Sequence, residues 1–273
     1  MRDRGGSDRA PRAKKSFGQC FLVDGNIARI IAEAATTPPS GTTLEIGAGT
    51  GALTAPLLAR AARVVAIERD RELIPVLRDK LAQALDEGRL VISEADAASS
   101  DWAGLVQDGP RPHVLSGNLP YQITGRILQR AVEHAPLFDR AVFMVQKEVA
   151  QRLVARPSTK EYGALTVFVR SAFQVAIRVM VPASCFRPRP KIDSAVVVLT
   201  PTTADPVTRS EPFARLVQAA FTMRRKTLRN AWSRIPDVES LAKRAGIDLD
   251  CRGEALSVED FARAAACLVR SSS

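Results

Sequence analysis

Short apolar runs alternate with helical segments between residues 26 and 145, and this alternation is what most constrains the fold. The runs predict buried strands at Thr42–Ile46 and at residues 64–67, 90–93, 114–116 and 141–145. Helical spacing of apolar residues predicts helices at residues 26–35, 52–60, 71–85 and 123–134. Strands that alternate with helices need right-handed crossovers, so we expect a parallel sheet with helices on both faces.

Two further apolar runs, Phe173–Val181 and residues 194–199, predict an antiparallel hairpin that closes this sheet. Residues 200–210 are rich in Thr and Pro and read as a linker, and helical patterning returns at residues 213–235, Val238–Ala245 and residues 258–269. We therefore expect a flexible basic arm at residues 1–13, a Rossmann-like α/β domain at residues 14–200 and a small helical domain at residues 201–273.

The net charge of +10 points to a polyanionic partner, because Lys and Arg that neutralise phosphates supply most sequence-independent affinity for nucleic acids. The basic residues are clustered near the N-terminus, at residues 187–191 and at residues 224–234. The four cysteines are scattered and the two histidines form no ligand pattern, so we expect no metal, no disulfide framework and a reducing compartment such as the cytoplasm. No apolar run is long enough to predict a membrane span.

A glycine-rich loop follows the first predicted strand of the sheet, with Gly47, Gly49 and Gly51 in GxGxG spacing. Glycine lets the backbone turn tightly and approach a ligand closely, and Glu68, at the end of the next strand, can bind both hydroxyls of a ribose. A P-loop is excluded because no Gly-Lys-Ser/Thr follows, and a dinucleotide fold prefers GxGxxG. Glu45 beside the loop suits a cation, which favours S-adenosyl-L-methionine, a cofactor without phosphate.

Asp96 follows the third predicted strand, where it could accept a hydrogen bond from the amine of the cofactor's adenine. A helix N-cap is the competing interpretation of this residue.

The tetrapeptide Asn118-Leu119-Pro120-Tyr121 follows the fourth predicted strand. The exocyclic nitrogen of adenine is a poor nucleophile, because its lone pair is delocalised into the ring. Hydrogen bonds from this amine to the Asn118 side-chain oxygen and to the Leu119 or Pro120 carbonyl would localise the lone pair, while Tyr121 stacks on an extruded base. The tetrapeptide therefore predicts methylation of an amino group on a nucleobase, with alignment supplying most of the catalysis.

These motifs resemble the ribosomal RNA adenine dimethyltransferases, which include the kasugamycin-sensitivity enzymes of the small subunit and the erythromycin-resistance enzymes of the large subunit. The resemblance covers residues 15 to about 268: the string at residues 15–22, the glycine loop, Glu68, Asp96, the tetrapeptide, and residues 186–196, 224–230 and 252–257. The last three segments are similar to the small-subunit branch.

The resemblance implies transfer of two methyl groups to each of two neighbouring adenosines near the 3′ end of small-subunit rRNA. It implies cofactor contacts at Leu22, Gly47, Glu68, Asp96 and Asn118, and a Phe186 ring that flanks the target base opposite Tyr121. The family usually has Asn where this chain has Cys20. A thiol cannot replace the paired donor and acceptor of an amide, so we expect weaker cofactor binding.

Two alternatives remain open: a large-subunit rRNA methyltransferase of the macrolide-resistance type, and an rRNA-binding assembly factor with secondary catalysis. We expect a monomer that binds an immature small ribosomal subunit. The residues predicted to contact RNA phosphates are Arg187, Arg189, Lys191, Arg224, Arg225, Lys226 and Arg229.

Overall fold

The structure is a computed structural model that describes residues 19–37, 41–203 and 205–271. The basic arm predicted at residues 1–13 lies outside the described residues. The strands, in chain order, are β1 (Phe21–Leu22), β2 (Thr42–Ile46), β3 (Arg63–Glu68), β4 (Leu90–Glu94), β5 (His113–Asn118), β6 (Arg140–Gln146), β7 (Phe173–Val181), β8 (Phe186–Arg187) and β9 (Ser194–Pro201).

The helices, in chain order, are α1 (Gly25–Ala35), α2 (Thr54–Leu58), α3 (Leu73–Lys80), α4 (Ala82–Asp86), α5 (Trp102–Val106), α6 (Thr124–Glu133), α7 (Lys147–Leu153), α8 (Ala164–Arg170), α9 (Glu211–Thr222), α10 (Leu228–Ala231), α11 (Val238–Ala245) and α12 (Val258–Ser271). The parallel α/β architecture with a terminal antiparallel hairpin confirms the predicted fold class.

The central sheet has seven strands within the described residues, in the order β4-β3-β2-β5-β6-β9-β7. The first five strands of this order run parallel, and β9 pairs antiparallel with both β6 and β7. Because parallel strands end at the same edge of a sheet, the loops after β2, β3, β4 and β5 lie together. This is the edge at which open α/β sheets bind ligands.

Alternate residues of the central strands pack into two apolar layers, one on each face of the sheet. In β3, Val65 and Ile67 belong to one layer, and Val64 and Ala66 belong to the other. Every residue of β2 is buried, which is the pattern of a strand covered on both faces.

The helices α9 to α12 enclose a third apolar cluster, which contains the buried rings of Phe213, Trp232 and Phe261. Tyr162 and Val167, from the segment before β7, also belong to this cluster. The division into domains at residues 200 and 201 stays a prediction.

Two predicted helices are interrupted in the structure. The segment at residues 213–235 forms two helices, α9 and α10. The Trp232 indole N–H donates to the Leu216 carbonyl at 3.0 Å, and the chain can bring these groups together only by folding back between the two helices. The segment at residues 71–85 forms α3 and α4, with a break at Leu81, whose φ and ψ are −120° and 26°.

Candidate active site

A pocket opens at the carboxyl edge of the sheet, between the loops that follow β2, β3, β4 and β5. Segment 19–22 closes one side of the pocket. The structure brings ten of the predicted site residues into its lining: Cys20, Leu22, Gly47, Gly49, Glu68, Asp96, Asn118, Leu119, Pro120 and Tyr121.

The three glycines of the loop have φ values of 74°, 59° and 76° at Gly47, Gly49 and Gly51, a left-handed conformation that favours glycine. Gly47 and Gly49 line the pocket, whereas Gly51 is not among the lining residues. A Cβ on Gly51 would lie 3.1 Å from Leu77 Cδ2. Gly51 therefore serves the turn and its packing against α3.

Glu68 ties the glycine loop to the end of β3. Its two carboxylate oxygens accept the backbone N–H groups of Gly49, at 2.8 Å, and Asp70, at 2.7 Å. Each oxygen keeps a second lone pair, so the carboxylate can still accept hydrogen bonds from a ligand. The side chain is thus held rigidly at the pocket wall.

Asp96 organises the turn after β4. One carboxylate oxygen accepts the backbone N–H of Ala98 at 2.9 Å, and the other pairs with Arg69 at 3.2 Å. Residues 97–99 form a turn, with no helix starting there. Asp96 thus accepts a backbone N–H as an N-cap residue would, but it caps a turn and not a helix. The residue also lines the pocket, as the cofactor interpretation requires.

Glu45 is a pocket-lining carboxyl with only 1% of its surface exposed. Burial raises the pKa of Glu45 to about 7, and the nearby Glu68 carboxylate adds to that rise. The Thr54 hydroxyl lies close enough to lower this pKa, yet no hydrogen bond of normal geometry satisfies Oε2 of Glu45 or Oγ1 of Thr54 within the described residues. The sequence predicted a buried strand here but did not show that its carboxyl oxygen lacks a hydrogen-bond donor.

The tetrapeptide leaves β5 and turns across the pocket. Asn118 Nδ2 donates to the Cys20 carbonyl at 3.0 Å, which orients the side-chain oxygen of Asn118. The Leu119 N–H donates to the Met144 carbonyl at 3.0 Å. The Pro120 carbonyl accepts both the Ile123 N–H, at 3.1 Å, and the Thr124 hydroxyl, at 3.0 Å.

Tyr121 lies half-buried at the end of the tetrapeptide. Its hydroxyl is 3.5 Å from the Ser194 hydroxyl at the start of β9, and burial raises the pKa of the phenol. The ring is therefore anchored at its polar end, while the neutral phenol is kept at physiological pH.

Segment 19–22 is held in place by a pairing that the sequence did not reveal. β1 pairs antiparallel with β8, with Leu22 opposite Phe186. Cys20 contributes its backbone carbonyl to Asn118, a contact that does not depend on the side chain. Burial raises the pKa of the Cys20 thiol, so this thiol remains protonated.

The structure does not bring Phe186 into the pocket. Its ring is 1% exposed and packs in the same apolar layer as Leu22 and Val181. A ring covered on both sides by protein offers no face to a base. The flanking role expected for Phe186 opposite Tyr121 would require this ring to become exposed, and it stays a prediction.

The predicted RNA-contacting residues are exposed but not equivalent. Arg187 donates to the carbonyls of Ser184 and Phe186, at 3.2 and 2.9 Å. Arg229 pairs with Asp250 at 3.1 Å and also with Glu239, and these carboxylates raise its pKa.

Arg224 contacts the Lys160 carbonyl and lies 3.8 Å from Glu254. By contrast, the side chains of Arg189, Lys191, Arg225 and Lys226 are exposed and make no ion pair with another described residue.

Comparison with known proteins decides the family. A family model described as ribosomal RNA adenine dimethylase matches residues 10–269. A relative in Anaeromyxobacter sp. (strain K), named ribosomal RNA small subunit methyltransferase A, is 42% identical over 266 residues and covers 92% of both chains. The chain belongs to the ribosomal RNA adenine dimethylase family. A relative of the same name in Moorella thermoacetica is 45% identical and covers 91% of this chain and 90% of its own.

Solved structures of similar fold agree with the assignment of this chain to the dimethylase family. A dimethyladenosine transferase from Plasmodium falciparum is similar with a TM-score of 0.74 and 28% identity, covering 89% of this chain and 95% of that one. The 23S rRNA methyltransferase ErmE is similar with a TM-score of 0.67 and 27% identity, covering 91% and 99%. The protein is thus an S-adenosyl-L-methionine-dependent methyltransferase with a Rossmann-like fold.

The pocket of the dimethylase fits this cofactor. It combines a glycine loop, the carboxyl groups of Glu45, Glu68 and Asp96, and an unsatisfied acceptor at Glu45 Oε2. Such a lining suits a ligand that has hydrogen-bond donors and positive charge. No group of three or more potential metal ligands occurs in the described residues, and none of the helices described is long and apolar enough to cross a membrane.

Proposed function

We propose that this enzyme dimethylates the N6 amine of two adjacent adenosines near the 3′ end of small-subunit rRNA. The observation that carries the proposal is the meeting of Asn118, Leu119 and Tyr121 with the glycine loop, Glu68 and Asp96 in one pocket. The relatives named for the small ribosomal subunit support this choice of RNA.

Asn118 and Leu119 are the groups that we expect to hold the target amine. Asn118 Nδ2 is committed to the Cys20 carbonyl, so its oxygen is the part of the amide that can accept from the amine. The Pro120 carbonyl already accepts two hydrogen bonds. The Leu119 carbonyl is therefore the better second acceptor, and together the two oxygens localise the nitrogen lone pair.

The cofactor, when bound, supplies an electrophilic methyl group on a sulfonium. The residues around it hold and align the reactants, with Glu68 at the expected ribose position and Asp96 at the expected adenine position. Leu22, Gly47 and Gly49 close the pocket around the ligand. The base has no need of a strong general base, since its nitrogen becomes acidic once alkylated.

Tyr121 provides the stacking surface for a base that has been flipped out of the RNA. Base–aromatic stacking contributes about 1–3 kcal/mol per base, which offsets part of the cost of unstacking. The contact of its hydroxyl with Ser194, at 3.5 Å, positions the polar end of the ring before the base arrives.

The exposed cations at Arg189, Lys191, Arg225 and Lys226 form the proposed phosphate contacts, with Arg187 and Arg224 beside them. Arg229 is the least suitable of the predicted set, because two carboxylates already compensate its charge. We further propose that the enzyme acts as a cytoplasmic monomer, without a metal, on an immature small-subunit particle.

Transfer of tritiated methyl groups tests the function. Unmodified small ribosomal subunits are incubated with the labelled cofactor, and the nucleosides are analysed for N6,N6-dimethyladenosine. Asn118→Ala should lower the rate by at least about 100-fold, as for the loss of other aligned catalytic hydrogen bonds. Asn26→Ala, at an exposed asparagine of α1, is the matched control and should keep the rate.

The similarity to ErmE favours a specific second candidate, a large-subunit rRNA methyltransferase of the macrolide-resistance type. Large subunits offered in parallel distinguish the two, because labelled dimethyladenosine should then appear in the other RNA. A third reading, an assembly factor with secondary catalysis, would be supported if Asn118→Ala abolished methyl transfer but left rRNA binding and subunit assembly intact.

A further inference from the structure

Arg130 lies in the last turn of α6, and its guanidinium reaches the turn that follows β4. Its Nη1 donates to the Ala97 carbonyl at 3.1 Å, and its Nη2 donates to the Ser100 carbonyl at 2.6 Å. The planar fork of a guanidinium suits such a double contact, which the compact charge of a lysine matches less well. Arg130 therefore holds two carbonyls of one turn at the same time.

Trp102, the first residue of α5, supports the same contact from a second side. Its indole is fully buried, and the indole N–H donates to the Ala97 carbonyl at 3.1 Å. The Cζ atom of Arg130 lies 4.6 Å from the centroid of the Trp102 ring, which is a cation–π distance. The Ala97 carbonyl thus accepts hydrogen bonds from two side chains that also contact each other.

The turn held in this way, residues 96–100, forms part of the wall of the cofactor pocket, because Asp96 and Ala97 both line that pocket. Three backbone N–H groups of the turn donate to Asp96, two to its carbonyl and one to its carboxylate, at 2.9 to 3.0 Å. These bonds set the shape of the turn. The contacts with Arg130 and Trp102 tie the turn to the helices behind it.

Other contacts hold only the beginning of this turn. The Ala95 N–H donates to the Glu68 carbonyl at 3.1 Å, which continues the pairing of β4 with β3 as far as Asp96. The Asp96 carboxylate also pairs with Arg69, whose side chain is 61% exposed. Exposed ion pairs contribute little, so the place of the turn against the pocket depends chiefly on the contacts from α5 and α6.

The helix α6 is anchored independently of Arg130. At its start, the Thr124 hydroxyl donates to the Pro120 carbonyl of the tetrapeptide at 3.0 Å. Along its length, Ile127, Leu128 and Ala131 are fully buried in the apolar layer on this face of the sheet. Removal of the guanidinium should therefore free the turn while α6 and the tetrapeptide stay in place.

We propose that Arg130 is a positioning residue for cofactor recognition. Through the carbonyls of Ala97 and Ser100 it holds Asp96 where the adenine amine of the cofactor can donate to the carboxylate. This inference rests on the proposed place of the adenine beside Asp96. Loss of the guanidinium should weaken recognition of the adenine amine without slowing methyl transfer from cofactor that is already bound.

Two thioether ligands separate recognition of the amine from the rest of the binding. S-adenosylhomocysteine carries the adenine amine, whereas S-inosylhomocysteine has an oxygen in its place and cannot donate from that position. Arg130→Met keeps an unbranched apolar stem and removes the donors and the charge. In calorimetry it should raise the dissociation constant of S-adenosylhomocysteine about tenfold, roughly the equivalent of one hydrogen bond to a charged group. The constant of S-inosylhomocysteine should change by less than about twofold.

Methyl transfer to unmodified small ribosomal subunits gives a second readout. For Arg130→Met the KM for S-adenosylmethionine should rise about tenfold, while kcat stays within about twofold of the wild type. A merely structural loss would lower the fraction of folded enzyme, and therefore kcat, and would leave this KM unchanged. Arg126→Met is the matched control, because Arg126 is an exposed arginine one turn earlier on α6. This variant should bind both ligands as the wild type does.

A double-mutant cycle tests the route through Asp96. In an Asp96→Ala background, Arg130→Met should add little further loss of S-adenosylhomocysteine binding, because both changes remove the same contact. Fully additive losses would show that Arg130 acts elsewhere and would overturn the inference.

The inference is also overturned if Arg130→Met leaves the binding of S-adenosylhomocysteine unchanged, weakens both thioethers equally, or lowers kcat without raising the KM. If the wild type binds neither thioether, the proposed function itself fails, and this inference with it. Should Arg130→Met not fold, Trp102→Phe removes only the N–H donor to the Ala97 carbonyl. That variant should show the same selective loss at a smaller magnitude, and an equal loss for both thioethers would overturn the inference.

Discussion

Glu45 should make the stability of the ligand-free dimethylase fall as the pH rises, and Glu45→Gln should remove this effect. A carboxyl whose folded pKa is raised above its unfolded value contributes stability that is fully present below the unfolded pKa. That stability is lost as the pH rises through the folded pKa. For Glu45 the window runs from 4.5, the ordinary value, to about 7.

The magnitude follows from those two values. Between them the folded state binds one more proton than the unfolded state, so the free energy of unfolding falls by about 1.36 kcal/mol per pH unit. Integrated from pH 5 to pH 8, the loss is about 2–3 kcal/mol. Because Glu45 is fully buried, solvent screening does not reduce this figure appreciably.

The assay is urea unfolding of ligand-free wild type, Glu45→Gln and Glu94→Gln at pH 5 and pH 8, followed by circular dichroism. The free energy of unfolding of Glu45→Gln relative to that of the wild type should rise by about 2–3 kcal/mol on going from pH 5 to pH 8. Glu94→Gln, whose carboxylate is 45% exposed, should show no such change. Parallel pH profiles for wild type and Glu45→Gln would refute the reasoning.

Three further predictions test the site and the RNA surface. Gly117→Ala should lower the free energy of unfolding by about 1–3 kcal/mol and weaken cofactor binding, because its Cβ would lie 2.5 Å from a backbone oxygen. Gly125→Ala has open space around its Cβ and should change neither quantity, as denaturant unfolding and calorimetry would measure. Cys20→Asn should lower the dissociation constant of the cofactor in calorimetry, and an unchanged or higher constant would contradict the expectation. Arg225→Glu should weaken RNA binding in a filter-binding assay and flatten its salt dependence. Arg229→Ala removes two ion pairs and should mainly lower the stability of the helices α9 to α12 in unfolding experiments.

The sheet could be predicted from the sequence because its strands are short segments rich in apolar and β-branched residues that lie between helix and turn signals. Thr42–Ile46 and Phe173–Val181 have the predicted bounds, and the strand predicted at residues 114–116 only lengthens, to His113–Asn118. The helices α5, α7 and α8 were not predicted, since five to seven residues are too few to show a clear helical period. The β1–β8 pair was missed because two-residue strands distant in sequence have no local signal.

At the site, the sequence predicted which residues meet but not how they are engaged. The spacing of glycines, acids and tetrapeptide was enough to place Gly47, Glu68 and Asn118 around one pocket. Burial is a tertiary property, so neither the unsatisfied carboxyl of Glu45 nor the covered ring of Phe186 could be inferred from residue type. The pairing of Arg229 with two carboxylates was hidden for the same reason.

The pocket depends on how closely the ends of β2 and β5 approach each other. Their parallel register sets Glu45 against Ser116, so the two loops leave the sheet side by side although about seventy residues separate them. At Gly117 a Cβ would lie 2.5 Å from the Ile46 carbonyl, and at Gly47 a Cβ would lie 3.9 Å from the Asn118 carbonyl. The glycine at 117 thus permits the strand contact, and the glycine loop can then lie against the tetrapeptide. Because we expect reactant alignment to supply most of the catalysis, we infer that this backbone contact matters to the active site as much as the side chains it positions.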